Sequence, residues 1–223
     1  MAAPADDERD ARLAEEACRL HRRYTAEVVE RFNLCPWARR AGLDGEIGRS
    51  ALLQADPDPG PTLALIARLE AERPPPPMVI AIYPRLALSP LDFDAFAAAI
   101  KATDQARHRG SPPYVSATFH PGYALDERSP SALVPWLRRS PDPSLQLVRH
   151  EVIDAARGPS GKILFDYSPA AWDELRRRVE RGTVFDRVAA DNQAMVRARR
   201  EEIDRAVADI AADRARSYAA LSR

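Results

Sequence analysis

Met78-Val79-Ile80-Ala81-Ile82-Tyr83 is a continuous apolar run bounded by prolines, with Pro74 to Pro77 before it and Pro84 after it. A strand with one wet face alternates apolar and polar residues, so an unbroken run of this length reads as a central strand buried on both faces. The proline run ahead of it reads as a stiff connector, with a ligand for a proline-recognising module as the alternative. Upstream, Leu63, Ile66, Ala67 and Leu69 fit a helix of two to three turns, preceded by the breaker run Asp56-Pro57-Asp58-Pro59-Gly60-Pro61 and a weak strand between Ile47 and Leu53. Downstream, Leu91, Phe93, Phe96, Ala99, Ile100 and Thr103 give a helix introduced by Ser89-Pro90 and closed near Gly110, and Tyr114 to Phe119 is a third strand rich in β-branched and aromatic residues. Strand, helix, strand, helix, strand implies an α/β fold: a small, partly parallel sheet of three or four strands joined by crossover helices. A ferredoxin-like sheet and a short three-layer sheet both satisfy this pattern.

The flanks read as helical. Leu13, Ala17, Leu20, Tyr24 and Val28 make one apolar stripe on a helix from about Asp10 to Phe32, with His21 on its edge and Cys18 off its centre, and Pro36 stops that helix by Cys35. Beyond residue 130 the pattern is wholly helical, with pieces near 131–138, 144–157, 170–181 and 186–219. The last is the longest, and its stripe of Val188, Met195, Ile203, Val207 and Ile210 suits packing on the domain, a homodimer through this helix, or both. The chain is expected to form a single domain over 1–223, with 1–9 a disordered tail and 158–183 a possible insertion.

The 223 residues carry 33 Lys plus Arg against 33 Asp plus Glu, so no excess cationic charge exists to draw a nucleic acid. No apolar stretch is long enough for a membrane span, and the acidic, Ala-rich start is unlike a signal peptide, which makes cytoplasmic the expected location. Cys18 and Cys35 form neither a disulfide framework nor a metal knuckle. Glycine-rich phosphate loops, paired zinc histidines and a serine elbow are all missing from the sequence, which turns the reading away from nucleotide-dependent phosphoryl transfer and dinucleotide binding.

Three segments hold residues suited to chemistry. Ligands collect at the carboxyl ends of parallel strands, and there the third strand exits into Phe119-His120-Pro121-Gly122-Tyr123. Asn33-Leu34-Cys35-Pro36-Trp37 places a thiol at a helix end, with Arg39 and Arg40 close behind. Leu137-Arg138-Arg139-Ser140-Pro141-Asp142-Pro143 places two guanidinium groups on a proline-pinned turn, where Arg can hold a carboxylate or phosphate bidentately. The plain alternatives are a loop histidine capping a backbone carbonyl, a cysteine packed as a small hydrophobe, and arginines paired with an acid such as Asp142.

At these segments the chain resembles a family of bacterial and plastid-type proteins known as a domain of unknown function, numbered fourteen-fifteen. The resemblance rests on Asn33-Leu34-Cys35-Pro36-Trp37-Ala38, Thr118-Phe119-His120-Pro121-Gly122-Tyr123 and Arg139-Ser140-Pro141-Asp142-Pro143, with Arg149 and Glu151 further on. Order and spacing agree from about residue 20 to 157, and the Asn192 region is similar to the family's final helix. Where the family tends to have Asn, Tyr and His, this chain has Arg138, Asp142 and Gln146, and the stretch from Gly158 to Thr183 has no counterpart. The resemblance implies no particular reaction. It does imply that Cys35, His120 and Arg139 gather around one pocket.

The expected function is that of a small-molecule enzyme, a Cys/His-dependent hydrolase or transferase with no assumed cofactor. Cys35 is the thiolate nucleophile and His120 its general base or thiolate partner. Arg139 anchors an anionic substrate, Asn33 orients the histidine or donates to an oxyanion, and Ser140 and Tyr123 complete the binding residues. A second reading makes Cys35 and His120 ligands to haem iron or a soft metal, with His150 or an acid as a further ligand. A third is a non-enzymatic interaction module contacting partners through Pro74 to Pro77 and the long final helix.

Overall fold

The computed structural model describes residues 4–35, 47–157 and 184–222. The elements are α1 (Pro4–Tyr24), continued by a wider π-helical turn (Thr25–Glu30), β1 (Ile47–Ala51), α2 (Gly60–Ala71), β2 (Met78–Ile82), α3 (Pro90–Arg107), β3 (Tyr114–Phe119), α4 (Val134–Leu137), β4 (Ser144–Arg149), α5 (His150–Arg157) and α6 (Val184–Leu221). The four strands form one mixed sheet in the order β1-β2-β4-β3, with β1 parallel to β2 and β4 antiparallel to both β2 and β3. The three crossover-linked strands therefore run the same way, and β4 fills the gap between β2 and β3.

Alternate residues of β2 serve opposite faces of the sheet. Val79, Ala81 and Tyr83 join Leu65, Ile66 and Leu69 of α2, Phe93, Phe96 and Ile100 of α3, and Leu145 and Leu147 of β4 in one core cluster. Ile80 and Ile82 face Ala17 of α1 on the other side. This double cover is why the run shows no alternation, and it decides for three layers over a ferredoxin-like sheet. Local signals fix the helix ends. Ser89 caps α3, its Oγ accepting from the Asp92 N–H at 3.2 Å with Pro90 in the first turn. Asn33, with φ 51°, takes the left-handed conformation that ends the first helical segment.

Two expectations are corrected. Residues 144–157 are not one helix: Ser144–Arg149 is β4 and only His150–Arg157 is helical. Leucine, glutamine and arginine favour a helix locally, yet Leu145 and Leu147 alternate with Gln146, and ladders to strands on both sides override the local preference. The chain from Pro4 onward is the start of α1 and not part of a disordered tail. The expected insertion and the helix near 170–181 lie outside the described residues.

α6 packs along α1, burying Val196, Ile203 and Ile210 with Leu20, Tyr24, Val28 and Phe32. Val188 and Met195, placed in the expected stripe, are half-buried, and the helical path is broken at Arg199 (φ −133°). Asp213 of α6 accepts from Arg19 at 2.8 Å and from Arg23 at 2.9 Å, which fixes the register of the two helices.

Candidate functional site

The insertion of β4 shapes the site. Because β4 runs against its neighbours, its first residue, Ser144, pairs with the last residues of both β2 and β3, Ile82 and Phe119. The Arg139 to Pro143 turn thereby arrives at the carboxyl edge of the parallel strands, beside the His120 turn. The His120 N–H donates to the Arg138 carbonyl at 3.0 Å, and the Tyr83 N–H to the Pro143 carbonyl at 2.9 Å. The α1 side joins through the Tyr24 hydroxyl, which donates to the Leu137 carbonyl at 2.9 Å, and through Asn192 Nδ2, which donates to the Leu34 carbonyl at 3.1 Å. The His120 and Arg139 turns thus meet at one edge of the sheet, and Leu34, at the end of the first helical segment, shares a core cluster with Leu137.

The two arginines part ways there. Arg138 ends the single turn of α4. The Arg139 guanidinium stacks on Trp136 at 3.9 Å, donates to the Trp136 carbonyl at 2.9 Å and pairs with Asp204 of α6 at 2.8 Å, so it clamps α4 to α6. Arg138 projects elsewhere, its guanidinium carbon 5.6 Å from the centre of the Phe119 ring. Among the described residues it has neither a hydrogen-bond acceptor nor a carboxylate for its guanidinium. Burial weakens its charged form, an effect opposed by the neighbouring acidic groups of Tyr24, Tyr123 and Cys35. Sequence reasoning put the anion anchor at Arg139. Adjacent arginines look alike until Trp136 and Asp204 claim one of them.

His120 is 5% exposed and its ring is held by backbone on both sides. The Gly122 N–H donates to Nδ1 at 3.0 Å, which puts the ring hydrogen on Nε2, and Nε2 donates to the Leu88 carbonyl at 3.1 Å. Phe93 and Tyr123 pack on the ring at 5.7 Å. Burial lowers its pKa, opposed by the Leu88 carbonyl and Asp94. Both nitrogens are thus used, and no hydrogen bond links His120 to Cys35 among the described residues. The same two contacts occupy the positions a haem or metal ligand would need.

Tyr123 donates to Asp94 Oδ1 at 2.5 Å and accepts from the Thr118 hydroxyl at 2.7 Å. Burial and Asp94 push its phenol up to about 12. Ser140 is buried and donates to the Asp142 carbonyl at 2.5 Å. Asp142 is itself fully buried, accepting from Arg214 Nε at 2.6 Å and the Tyr218 hydroxyl at 2.7 Å. Asn33 is exposed, and its role in the backbone is the left-handed turn. Cys35 is half-buried and unoxidised, as is Cys18. A separate cleft of about 510 Å³ lies between the start of α1 and the end of α6, where Arg85 pairs with Asp10 and Arg9 donates to the Leu221 carbonyl, so neither cation is free for a ligand. No helix among the described residues is long and apolar enough to cross a membrane.

The fold is a three-layer α/β arrangement in which the His120 and Arg139 turns meet beside Arg138, whose guanidinium has no acid partner among the described residues. A family model described as "Protein of unknown function (DUF1415)" matches residues 16–160, and the chain belongs to that family. The matched region contains all four strands and all three turns and stops short of α6. Among curated proteins and among solved structures, nothing matches the chain.

Proposed function

We propose that the protein is a thiol-dependent enzyme acting on a small anionic molecule, with Arg138 as the anion anchor and Cys35 as the nucleophile. The observation that carries this reading is the half-buried Arg138 guanidinium, free of any carboxylate among the described residues, with Cys35, Tyr24 and Tyr123 as neighbours. A cation held partly out of water without a fixed counter-ion is disfavoured, and an anionic ligand supplies the missing charge. A thiolate beside the anchored group attacks an electrophilic carbon and displaces a leaving group with its electron pair; water or a second substrate then releases the covalent intermediate. His120 acts as a positioning residue, holding Gly122 and Leu88 together behind the site. Arg139, Ser140 and Asp142 maintain the turn that carries Arg138. The reading fits a reducing, cytoplasmic setting, where both thiols stay free.

The test compares the alkylation of Cys35 by iodoacetate, an anion, and iodoacetamide, its neutral analogue, followed by peptide mass spectrometry. Cys18, beside Arg22 and Arg49, is the internal standard. Arg138 is expected to raise the iodoacetate-to-iodoacetamide rate ratio at Cys35 by about tenfold, equivalent to about 1.4 kcal/mol of charge attraction. Arg138→Met should abolish that preference and leave the Cys18 ratio unchanged. A Cys35 ratio that is the same with and without Arg138 overturns the proposal.

A further inference from the structure

At the opposite edge of the sheet, where β3 begins, Glu70 near the end of α2 approaches Asp104 and His108 at the end of α3. The four-residue spacing puts Asp104 and His108 on one face of the helix. One ligand atom from each of the three residues lies within 4.8 Å of the other two. His108 Nδ1 is 2.9 Å from the Asp104 carbonyl oxygen and 3.2 Å from Asp104 Oδ1, while Nε2 is 3.2 Å from Glu70 Oε1. Nδ1 carries at most one hydrogen, and the carbonyl takes it in good geometry. Asp104 Oδ1 and Glu70 Oε1 are left as buried oxygens without a hydrogen-bond partner. Asp104 is only 5% exposed, and Arg107 comes no nearer to Oδ1 than 3.9 Å.

With Nδ1–H directed to the carbonyl, a neutral His108 ring would point the Nε2 lone pair at a carboxylate oxygen. Two acceptors at 3.2 Å repel unless a positive charge lies between or beside them. A proton on Nε2 supplies that charge toward Glu70 Oε1 at 3.2 Å but leaves Asp104 Oδ1 without a donor. A metal ion satisfies the same demand and reaches Asp104 Oδ1 as well. An imidazole whose other nitrogen is held by a backbone carbonyl is also in the arrangement that orients metal-binding histidines.

We propose that Glu70, Asp104 and His108 bind a divalent transition-metal ion of the zinc class, through one oxygen of each carboxylate and one ring nitrogen. Imidazole with carboxylate suits zinc and its neighbours, and three protein ligands leave a position for water. Asp104 also lines a cavity of about 200 Å³ with Lys101, Tyr114 and His150, which gives that position a sheltered side. The site stands apart from the Arg138 edge and does not depend on the function proposed there.

The test is isothermal titration of the full chain with Zn²⁺ in a Cys18→Ser, Cys35→Ser background, which removes competing thiolates, alongside Co²⁺ absorption as a spectroscopic probe. The expected result is one Zn²⁺ per chain, weakened more than about a hundredfold by Asp104→Asn and by His108→Gln, since a lost ligand exceeds the loss of an outer-shell partner. Asp104→Asn keeps the side-chain volume and removes a buried charge, so it preserves the fold, with far-UV circular dichroism as the check; it decides the matter alone if His108→Gln is unstable. No Zn²⁺ binding, or binding that Asp104→Asn leaves intact, overturns the proposal.

Discussion

Lowering the pH from 7 to 5 is expected to destabilise the protein by about 2 kcal/mol through His21 alone. His21 is 4% exposed on α1, with the edge of its ring against Tyr24 at 5.9 Å. Arg49 Nε donates to Nδ1 at 3.3 Å, so the ring hydrogen resides on Nε2, a buried atom with no hydrogen-bond partner. Protonation would place a second cation beside Arg49 in a site closed to water. Burial first, and the Arg49 charge second, lower the His21 pKa from 6.5 to about 3. Because the folded value is depressed, the unfolded chain takes up a proton as the pH falls below about 6.5 while the folded chain does not, and stability is lost progressively down to about pH 3. At pH 5 the gap is about 1.5 pH units, hence about 2 kcal/mol, a large share of the 5–15 kcal/mol typical of a domain. Urea denaturation at both pH values, on the wild type and on His21→Gln, isolates the effect, because His108 and His120 titrate alike in both proteins and cancel. Glutamine offers Arg49 an acceptor without titrating. Equal losses of stability in the two proteins between pH 7 and pH 5 would refute the reasoning.

Asp142→Asn is expected to cost about 3 kcal/mol in urea denaturation, the low end for breaking a buried pair, because Arg214 lies near the surface and can turn to water; a double-mutant cycle with Arg214→Met should give a coupling above about 1 kcal/mol. Gly122→Ala should lower Tm by roughly 3–6 °C, since its new methyl would meet the His120 ring at 3.3 Å and Pro90 at 3.2 Å and push the ring off the Gly122 N–H. Tyr83→Phe should cost about 1–2 kcal/mol by leaving the buried Thr62 hydroxyl, now 2.9 Å from the Tyr83 oxygen, without its partner; unchanged stability would mean that water replaces it.

The α/β class was legible in the chain because local and global signals agree there. The Met78 to Tyr83 run is buried on both faces, Ser89-Pro90 caps the helix it introduces, and the α1 stripe faces the core from Ala17 to Val28 while Leu13 lines the cleft at its start. Residues 144–149 were not legible as a strand, since a helical composition becomes a strand only when two neighbours supply its ladder. The meeting of the His120 and Arg139 turns at one edge followed from that same strand. The choice between Arg138 and Arg139 turned on Trp136 and Asp204, the latter distant in sequence. The sequence left His120 open between a site imidazole and a loop histidine capping a backbone carbonyl, and the Leu88 carbonyl and Gly122 N–H that hold the ring are invisible to any side-chain pattern.

What the sequence determined by itself is whatever depends on neighbours a few residues away: helix ends, a doubly buried strand, the crossover order and the family turns. What only the tertiary structure decided is whatever depends on partners far along the chain. It inserted β4 between β2 and β3, assigned Arg139 to a clamp and left Arg138 without an acid partner among the described residues, and brought Glu70 to Asp104 and His108. The physical reason is that propensity and periodicity act through local backbone and burial, whereas charge pairing and hydrogen-bond satisfaction are settled only once distant groups are desolvated together.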